Sequence, residues 1–559
     1  MGDLTKLTPP ADLSEEECRT IFYHFYRILA DHVHTADLYS QAELAGASST
    51  QRAKITRDRF LRQTDAWGQS LLKAAWAACR EPGGGQCPTL DTLSASSAVE
   101  STPLPLGMAM ERTINVVLFL HITSTKQYSA RTRALLSTLA SLDEGNIVAT
   151  LKNPDSSMKD AEQQVKNTQA KHAERGKMLR MAGMGLSAIA GGVLVGVTGG
   201  LAAPLVGAGV SAIFGVLGVG GTAIGLLASG LASSSVVCGA LFGAYGAKVS
   251  ADMVDRHTRD IRDLAIVPVR PPKETLALRL CIGGWLAGPD DITAPWTIFE
   301  GDDTYALQWE VQALTELSEA LSTSIKTQAM QYVKASIVKS VLLATLLSSL
   351  APVVWLRIGK ILDNPWMNAR ARALKAGAVL ADLLVSRAFG TRPATLTGYS
   401  LGALVIFEAL CRLAELPPAQ TAHLIQDVFL FGAPVTSDTG PWTVVLRVVV
   451  GRLVNGYSSD DYILAVLCWV SDVSWSVAGI SPVPVKGVEN VECSGVDAHV
   501  KWRGMVGECL LACGAPGVNE TEVEKQGEIT LAIVEDIKMD KEQVEKVLQE
   551  GPVGSSQVF

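Results

Sequence analysis

The stretch that decides the fold is Thr395-Leu396-Thr397-Gly398-Tyr399-Ser400-Leu401-Gly402-Ala403-Leu404-Val405-Ile406-Phe407. Its pattern predicts a short strand, a sharp turn with Ser400 at the apex, and a helix. The spacing Gly398-x-Ser400-x-Gly402 is that of a nucleophile elbow, in which the serine takes a strained backbone conformation and the residues two positions away are small. We therefore predict that Ser400 is a nucleophile. The alternative is an ordinary strand-to-helix turn.

Backbone amides near Ser400 are candidates for holding an oxyanion. The amide of Leu401 opens the predicted helix, where the helix dipole favours negative charge. Gly283-Gly284 follows a predicted strand upstream of the elbow, where folds with this motif place their second donor, so the amide of Trp285 or Leu286 would serve. The alternative for the glycine pair is a plain turn.

A nucleophilic serine needs a base, and the base needs an acid that orients it. Only His423 and His499 follow Ser400 in the chain. His423 precedes the next predicted strand, so we expect it at the far end of the sheet. His499 follows the last predicted strand and is the candidate base.

The candidate acids follow the predicted strand 452–457. Asp460 and Asp461 come directly after it, where the loop is expected to face Ser400. Asp472 and Asp438 are weaker candidates. Asp460 and Asp461 could instead cap the helix that begins at position 462. One aspartate could cap that helix while the other orients the histidine.

Strand and helix patterns alternate in the C-terminal half of the chain, from position 262 to 515. The predicted strands around the elbow cover 276–282, 305–309, 427–432, 452–457, 473–480 and 488–494. The predicted helices between them include 311–361 and 364–386. This alternation predicts an α/β domain whose mostly parallel sheet is covered by helices on both faces.

Residues 1–154 have the pattern of a small all-helical domain. Ser14 and Glu17 form a capping box at its first predicted helix. His24, His32 and His34 could suggest a metal site, but no cysteine lies at ligand spacing, so we predict none. Residues 155–180 are strongly charged and predict a solvated helical connector or a short coiled coil.

The middle of the chain predicts a membrane segment at 181–250. No Asp, Glu, Lys or Arg occurs from Met181 to Ala247, a run far longer than the about 20 residues that cross a bilayer once. Its Gly/Ala spacing suits close helix packing in lipid. Basic residues flank both ends, which predicts cytosolic ends and an even number of crossings, most simply a hairpin. The alternative is a buried Gly/Ala-rich layer in a soluble protein.

The composition agrees with a membrane protein. Apolar residues make up 48% of the 559-residue chain and charged residues only 19%, and the mean hydropathy is +0.23. The net charge of −8 gives no electrostatic case for nucleic acid as a partner. The 10 cysteines contain no Cys-x-x-Cys pair, so we predict neither a zinc site nor a disulfide framework, and reduced thiols that face the cytosol. We predict no cofactor.

The order of motifs resembles one family, the transmembrane and coiled-coil domain-containing hydrolase-like proteins of eukaryotes. The resemblance runs from about position 175 to 514. It includes 199–205 (GGLAAPL), 284–286 (GWL), 294–296 (APW), 363–366 (DNPW), 398–403 (GYSLGA), 430–435 (LFGAPV), 455–457 (NGY), 477–479 (VAG) and 488–491 (VENV). The family implies an α/β-hydrolase fold at 262–515, fused to the membrane segment and followed here by a charged tail at 516–559.

The same resemblance implies a serine triad of Ser400, Asp461 and His499. The family has Gly-Asp-Trp at the acid position, whereas this chain has Asp460-Asp461-Tyr462, which leaves a second candidate acid. Ala498-His499 stands where the family has Gly-His before an aromatic residue, here Trp502. Neither departure removes a catalytic group.

Together these observations predict a membrane-associated serine hydrolase that cleaves an ester or thioester of a lipid or acyl substrate. Leu401 and Trp285 would supply the oxyanion amides, and the apolar stretch 341–356 could line the path of the substrate. We expect a multi-pass protein of an intracellular membrane, in contact with the lipid bilayer, with its hydrolase domain facing the cytosol. The alternative is a catalytically silent hydrolase-like scaffold that binds a trafficking protein.

Overall fold

The computed structural model describes residues 2–10, 12–46, 50–90, 107–163, 221–243, 261, 263–325, 352–472, 476–496, 498–535 and 546. The chain divides into two compact units. The first comprises Met1–Val33, Asp65–Tyr128 and Leu135–Leu241, and the second comprises His34–Thr64, Ser129–Ala134 and Phe242–Phe559.

The described N-terminal part of the chain is helical. Its helices are α1 (Glu15–Gly46), α2 (Gln51–Ala78), α3 (Gly107–Thr125), α4 (Ala130–Leu139) and α5 (Glu144–Lys152), followed by a helical stretch at 154–163. The predicted capping box is confirmed, because the Glu17 amide donates to Ser14 Oγ at 3.2 Å and the Ser14 amide donates to Glu17 Oε2 at 2.7 Å. Helix α3 is buried from Thr113 to Thr123, as expected for a helix that is apolar on all sides.

Two helices cover the described part of the Gly/Ala-rich run, α6 (Gly221–Ala232) and α7 (Ser234–Phe242). Within the first unit α6 packs against α3, and Gly230 permits the contact because a Cβ there would lie 2.6 Å from that of Thr123. No single helix in the described ranges is long and apolar enough to cross a bilayer. The pair Gly225–Ala232 and Ser234–Phe242, bent by 65°, could do so by length and composition. Most of the predicted membrane segment and the connector at 164–180 lie outside the described residues.

A seven-stranded sheet forms the centre of the second unit, with the order β1-β3-β2-β4-β5-β6-β7. The strands are β1 (Ala265–Pro268), β2 (Leu278–Ile282), β3 (Asp303–Gln308), β4 (Ala394–Tyr399), β5 (Ile425–Phe431), β6 (Leu453–Tyr457) and β7 (Val488–Glu492). Only the β1–β3 pairing is antiparallel. The prediction of a mixed α/β unit with a mostly parallel sheet is therefore confirmed.

Helices of the second unit connect the strands along the chain, and the last two follow β7. They are α8 (Val311–Ile325), α9 (Pro352–Val385), α10 (Leu401–Glu415), α11 (Pro418–Thr421), α12 (Thr439–Leu446), α13 (Tyr462–Asp472), α14 (Trp502–Ala512) and α15 (Glu520–Glu535). Strands β2, β4 and β5 are buried at every position, which is typical of a sheet that is covered on both faces.

Three details differ from the sequence prediction. Strand β1 was not predicted. The predicted strand 473–480 is not one where it is described, because residues 476–480 form a turn with an isolated bridge from Val477 to Thr436. Pro365 lies inside α9 and does not open a helix. The predicted helix 311–361 falls on α8 and the start of α9, and 326–351 lie outside the described residues.

Candidate active site

Ser400 stands at the junction of β4 and α10 with φ 56° and ψ −130°, a strained conformation with positive φ, as the motif predicts. Its amide donates to the carbonyl of Phe431 at 2.9 Å, which fixes the turn to strand β5. A Cβ on Gly402 would overlap the carbonyl of Ile282, and one on Gly398 would lie 3.0 Å from the carbonyl of Gly402. Gly402 therefore lets the turn close tightly against β2, and Gly398 lets β4 lie close to the start of α10.

A continuous chain of hydrogen bonds runs from Ser400 through His499 to Asp461. Ser400 Oγ lies 2.6 Å from His499 Nε2, and His499 Nδ1 lies 2.7 Å from Asp461 Oδ2. All three side chains are buried, with exposed fractions of 1% or less. They meet because β4, β6 and β7 run parallel, so the segments that leave the carboxyl ends of these strands emerge at the same edge of the sheet.

Asp461 uses both carboxylate oxygens. Oδ2 accepts from His499 Nδ1 and also from Trp502 Nε1 at 2.8 Å, while Oδ1 accepts from the amide of Leu464 at 3.1 Å. The bond to Leu464 lies in the first turn of α13, so Asp461 caps this helix and contacts the histidine at once. The sequence pattern indicates Trp502 only as an aromatic residue after the histidine, and no local signal predicts its bond to the carboxylate.

The other candidate residues lie elsewhere. Asp460 is exposed, and its amide donates to Ser458 Oγ. Asp438 is exposed at the start of α12. Asp472 is the last residue of α13, and its side chain is not among those that the structure describes. His423 precedes β5 at the amino ends of the strands, since the neighbouring Leu424 carbonyl accepts from the first residue of β4. That is the edge opposite Ser400.

The glycine pair after β2 lies directly against the elbow. A Cβ on Gly284 would lie 2.6 Å from the Cβ of Ser400 and would overlap the amide nitrogen of Leu401. Among the described residues, no acceptor is recorded for the amide of Leu401, Trp285 or Leu286. The close approach therefore brings the segment that carries both candidate upstream amides next to Ser400.

Buried side chains hold this segment after β2. Trp309 Nε1 donates to the carbonyl of Gly283 at 3.1 Å, and the Tyr399 hydroxyl donates to that of Trp285 at 3.4 Å. Burial, with a smaller effect from the Asp291 charge, raises the pKa of Tyr399 well above its usual range, so the phenol stays protonated. Asp291 in turn accepts from the amide of Ala287 at 2.7 Å and pairs with Arg503 of α14. None of these anchors was identified from the sequence.

The described ranges contain no group of three or more His, Cys, Asp or Glu side chains that could hold a metal ion. The cysteines are free thiols. Desolvation raises the pKa of the buried Cys281 thiol, which lies on β2, well above its usual range. The hydrogen-bonded arrangement around Ser400 therefore differs from the Cys281 thiol, which burial keeps protonated.

Comparison with known proteins gives a family match and several relatives. The family model described as "Protein of unknown function (DUF726)" matches residues 176–515. An uncharacterized membrane protein of Schizosaccharomyces pombe is 34% identical over 457 residues, covering 78% of this chain and 77% of that protein. The transmembrane and coiled-coil domain-containing protein STS1 of Oryza sativa subsp. japonica is 33% identical over 339 residues, covering 58% of this chain and 51% of that protein.

A further relative is named "Probable lipase MIL1", from Saccharomyces cerevisiae. It is 34% identical over 317 residues, which cover 55% of this chain and 28% of that protein. The chain thus spans about half of the rice relative and little more than a quarter of the budding yeast one. No solved structure gives a significant match.

Proposed function

Because the chain belongs to the family described as "Protein of unknown function (DUF726)", whose relatives include one named a probable lipase, we propose that it is a serine hydrolase. Its substrate is an ester or thioester of a lipid or another acyl compound. The single observation that carries the proposal is the buried chain of hydrogen bonds from Ser400 through His499 to Asp461. It starts from a serine with a strained backbone, as a nucleophile elbow requires.

The fold supports the same proposal. The elbow opens the helix after the central strand β4, the candidate acid follows β6, and the histidine follows β7. This chain order of serine, acid and histidine is that of the α/β-hydrolase fold, and so is a glycine-rich loop beside the elbow that supplies an oxyanion amide. We therefore assign the second unit to that fold.

In the proposed mechanism Ser400 Oγ attacks the acyl carbon, and its proton moves to His499 Nε2 as the new C–O bond forms. The amides of Leu401 and Trp285 donate to the oxyanion that results, since both lie beside the elbow and have no recorded acceptor among the described residues. The C–O or C–S bond of the substrate then breaks, and the alcohol or thiol takes the proton from His499.

The second half of the cycle releases the acid. A water molecule gives a proton to His499 Nε2 and attacks the acyl-serine ester. The second tetrahedral intermediate collapses to the carboxylic acid and free Ser400, which recovers its proton. Throughout, Asp461 holds the proton of His499 on Nδ1 and stabilises the imidazolium, so that Nε2 is the atom that exchanges protons.

A membrane setting favours a hydrophobic acyl substrate. The relatives in fission yeast and rice are named as membrane or transmembrane proteins, and this chain has an uncharged run from Met181 to Ala247. We propose that this run anchors the protein in a lipid bilayer as a hairpin with both ends cytosolic. The hydrolase unit would then act beside the membrane on an acyl chain that the bilayer supplies.

Labelling with a fluorophosphonate tests the nucleophile. The full-length chain should react once per molecule, and Ser400→Ala should not. Ser437→Ala is a matched control, since Ser437 is also a buried serine but its hydroxyl bonds to Ser476 Oγ at 2.7 Å; this variant should label like the wild type. If the folded wild type does not label, or Ser400→Ala labels equally, the hydrolase proposal fails and the scaffold alternative takes its place.

A further inference from the structure

The indole of Trp502 shares the carboxylate oxygen that His499 uses. Trp502 Nε1 donates to Asp461 Oδ2 at 2.8 Å, against 2.7 Å for His499 Nδ1. Both donors are fully buried, so water does not compete for the oxygen. A carboxylate oxygen has two lone pairs and can accept both bonds.

The surroundings leave the indole little freedom. Its ring packs against Phe431, with 6.1 Å between the ring centroids. Gly432 has φ 53°, and a Cβ at that position would overlap Trp502 Nε1. The indole nitrogen is thus held between the end of β5 and the carboxylate, a placement that requires glycine at position 432.

A second donor on Oδ2 has an electrostatic consequence. It withdraws charge from the oxygen that accepts from the imidazole, and a donated hydrogen bond to a charged group is among the stronger ones in proteins. It also opposes rotation of the carboxylate away from the ring plane of His499. The first effect lowers the basicity of His499, and the second keeps the proton of His499 on Nδ1.

We propose that Trp502 is a positioning residue, which fixes the carboxylate of Asp461 against His499 and tunes the basicity of that histidine. The proposal rests on the proposed hydrolase function. Trp502 acts through Asp461 and does not touch the reacting atoms.

Other ionisable groups lie on the elements that pack against His499, and they are the same in the wild type, Trp502→Phe and Trp442→Phe. They are Asp460 before α13, Lys501 in the 3-10 turn that begins at His499, Tyr462 and Cys468 on α13, Arg503, Glu508 and Cys509 on α14, Cys513 directly after α14, and Glu520, Glu522, Glu524 and Lys525 on α15. Arg503 pairs with Asp291, and Lys525 pairs with Glu522. A change in kcat or in the acid limb of the pH profile that occurs in Trp502→Phe but not in Trp442→Phe therefore results from the loss of the Trp502 indole N–H.

The kinetic experiment compares Trp502→Phe with Trp442→Phe in the full-length protein. Both tryptophans are fully buried, and each makes one indole hydrogen bond, that of Trp442 going to the Thr436 carbonyl at 2.7 Å. In Trp502→Phe we expect kcat for a short-chain nitrophenyl ester to fall about tenfold with KM little changed, as for the loss of one hydrogen bond to a charged group. The acid limb of the kcat/KM profile should move to higher pH, because the carboxylate then stabilises the imidazolium more.

The control separates positioning from plain destabilisation. Trp442→Phe should lower the melting temperature to a similar extent, yet leave kcat and the acid limb where they are in the wild type. If both variants have the wild-type acid limb, or if both lose kcat in proportion to their loss of stability, the inference is overturned.

A second measurement does not depend on turnover. In protein labelled with ¹⁵N at tryptophan and histidine, the Trp502 indole resonance is the one of 11 tryptophans that disappears in Trp502→Phe. It should move in Asp461→Asn and stay in Asp460→Asn, and the Nδ1–H resonance of His499 should move in Trp502→Phe. Should the wild type fail to label with fluorophosphonate, the hydrolase proposal falls while this result still decides the coupling. An unmoved indole resonance and an unmoved His499 Nδ1–H resonance would refute the coupling alone.

Discussion

Exchanging Asp461 for asparagine tests the acid assignment with almost no change of shape. Oδ1 of Asp461 accepts from the amide of Leu464, while Oδ2 accepts from His499 and Trp502. Asparagine has one side-chain oxygen, which can accept either from the Leu464 amide or from His499 and Trp502, but not from both sides. The Leu464 amide is fixed by the backbone of α13, so we expect the asparagine oxygen to stay there and its NH2 group to face His499.

That orientation reverses the tautomer of the base. With a donor opposite Nδ1, His499 accepts at Nδ1 and carries its proton on Nε2, which can then no longer take the proton of Ser400. A wrong tautomer of this kind costs about 10⁴ in kcat in a serine protease. We expect a loss of about 10³–10⁴-fold here, which corresponds to a barrier about 4–5 kcal/mol higher. The melting temperature should fall only modestly, because asparagine caps helices about as well as aspartate.

Asp460→Asn is the matched control, because it makes the same exchange one residue earlier on an exposed side chain. Its kcat should stay within about twofold of the wild type, as for other surface substitutions. The assay is the initial rate on a short-chain nitrophenyl ester with the melting temperature measured beside it. Loss of turnover in Asp460→Asn with turnover kept in Asp461→Asn would reverse the assignment. If neither exchange matters while His499→Ala abolishes turnover, the acid lies elsewhere, with Asp472 or Asp438 next to test.

Three further predictions concern packing, the membrane and pH. Gly402→Ala should lower the melting temperature by the equivalent of about 1–3 kcal/mol, because the added methyl group overlaps the carbonyl of Ile282. Gly440→Ala is the control and should not lower it, since a Cβ at that position meets no atom within 4 Å. Equal melting temperatures of the two variants would contradict this packing. The full-length chain should stay in the membrane pellet during alkaline carbonate extraction, and deletion of 181–247 should release it; release of the full-length chain would count against the anchor. Burial lowers the pKa of His121 from 6.5 to about 4, so the unfolded state binds a proton that the folded state does not. Stability should therefore fall as the pH drops from 6.5 to 4, by roughly 3 kcal/mol in total. His121→Leu should flatten that fall in melting curves, and an unchanged slope would refute the assignment.

The elbow is the part of the site that the sequence specifies most completely. Gly402 has to be small because the turn brings the chain against Ile282, and Gly398 has to be small because it lies against Gly402 and Ile406 of α10. The alternation of apolar strands and amphipathic helices likewise determines a mostly parallel sheet. The carboxyl ends of its strands then gather the segments that contain Ser400, Asp461 and His499 at one edge.

The differences from the prediction have local physical causes. Strand β1 has only four residues and ends in Pro268, so its signal is short, and proline is tolerated because β1 lies at the edge of the sheet. Pro365 predicted a helix start, since proline suits a first turn, but α9 continues through it. Burial of Trp366, Ala369 and Ala373 in that helix offsets the about 3 kcal/mol that an internal proline costs.

Contacts that join distant positions could not be read from local patterns. The indole of Trp502 reaches a carboxylate 41 positions away, and the Tyr399 hydroxyl reaches a carbonyl 114 positions away. Local periodicity predicts that such aromatic side chains are buried, but the partner of each polar atom depends on how the strands are ordered. The strand order β3-β2-β4, in which β2 lies beside the elbow strand, is what brings Trp285 next to Tyr399.

The helix cap and the acid are not competing roles for the Asp460-Asp461 pair. A carboxylate has two oxygens, and the bond from the Leu464 amide to Oδ1 fixes the orientation of the Asp461 side chain. With Oδ1 held in this way, Oδ2 faces His499 and Trp502. Asp460 is exposed and one position too early to bond the same amide, and among the described residues no hydrogen bond is made by its carboxylate. The amide at the start of helix α13 therefore determines that Asp461, and not Asp460, bonds to His499. The helix cap thus helps to position the acid of the proposed triad.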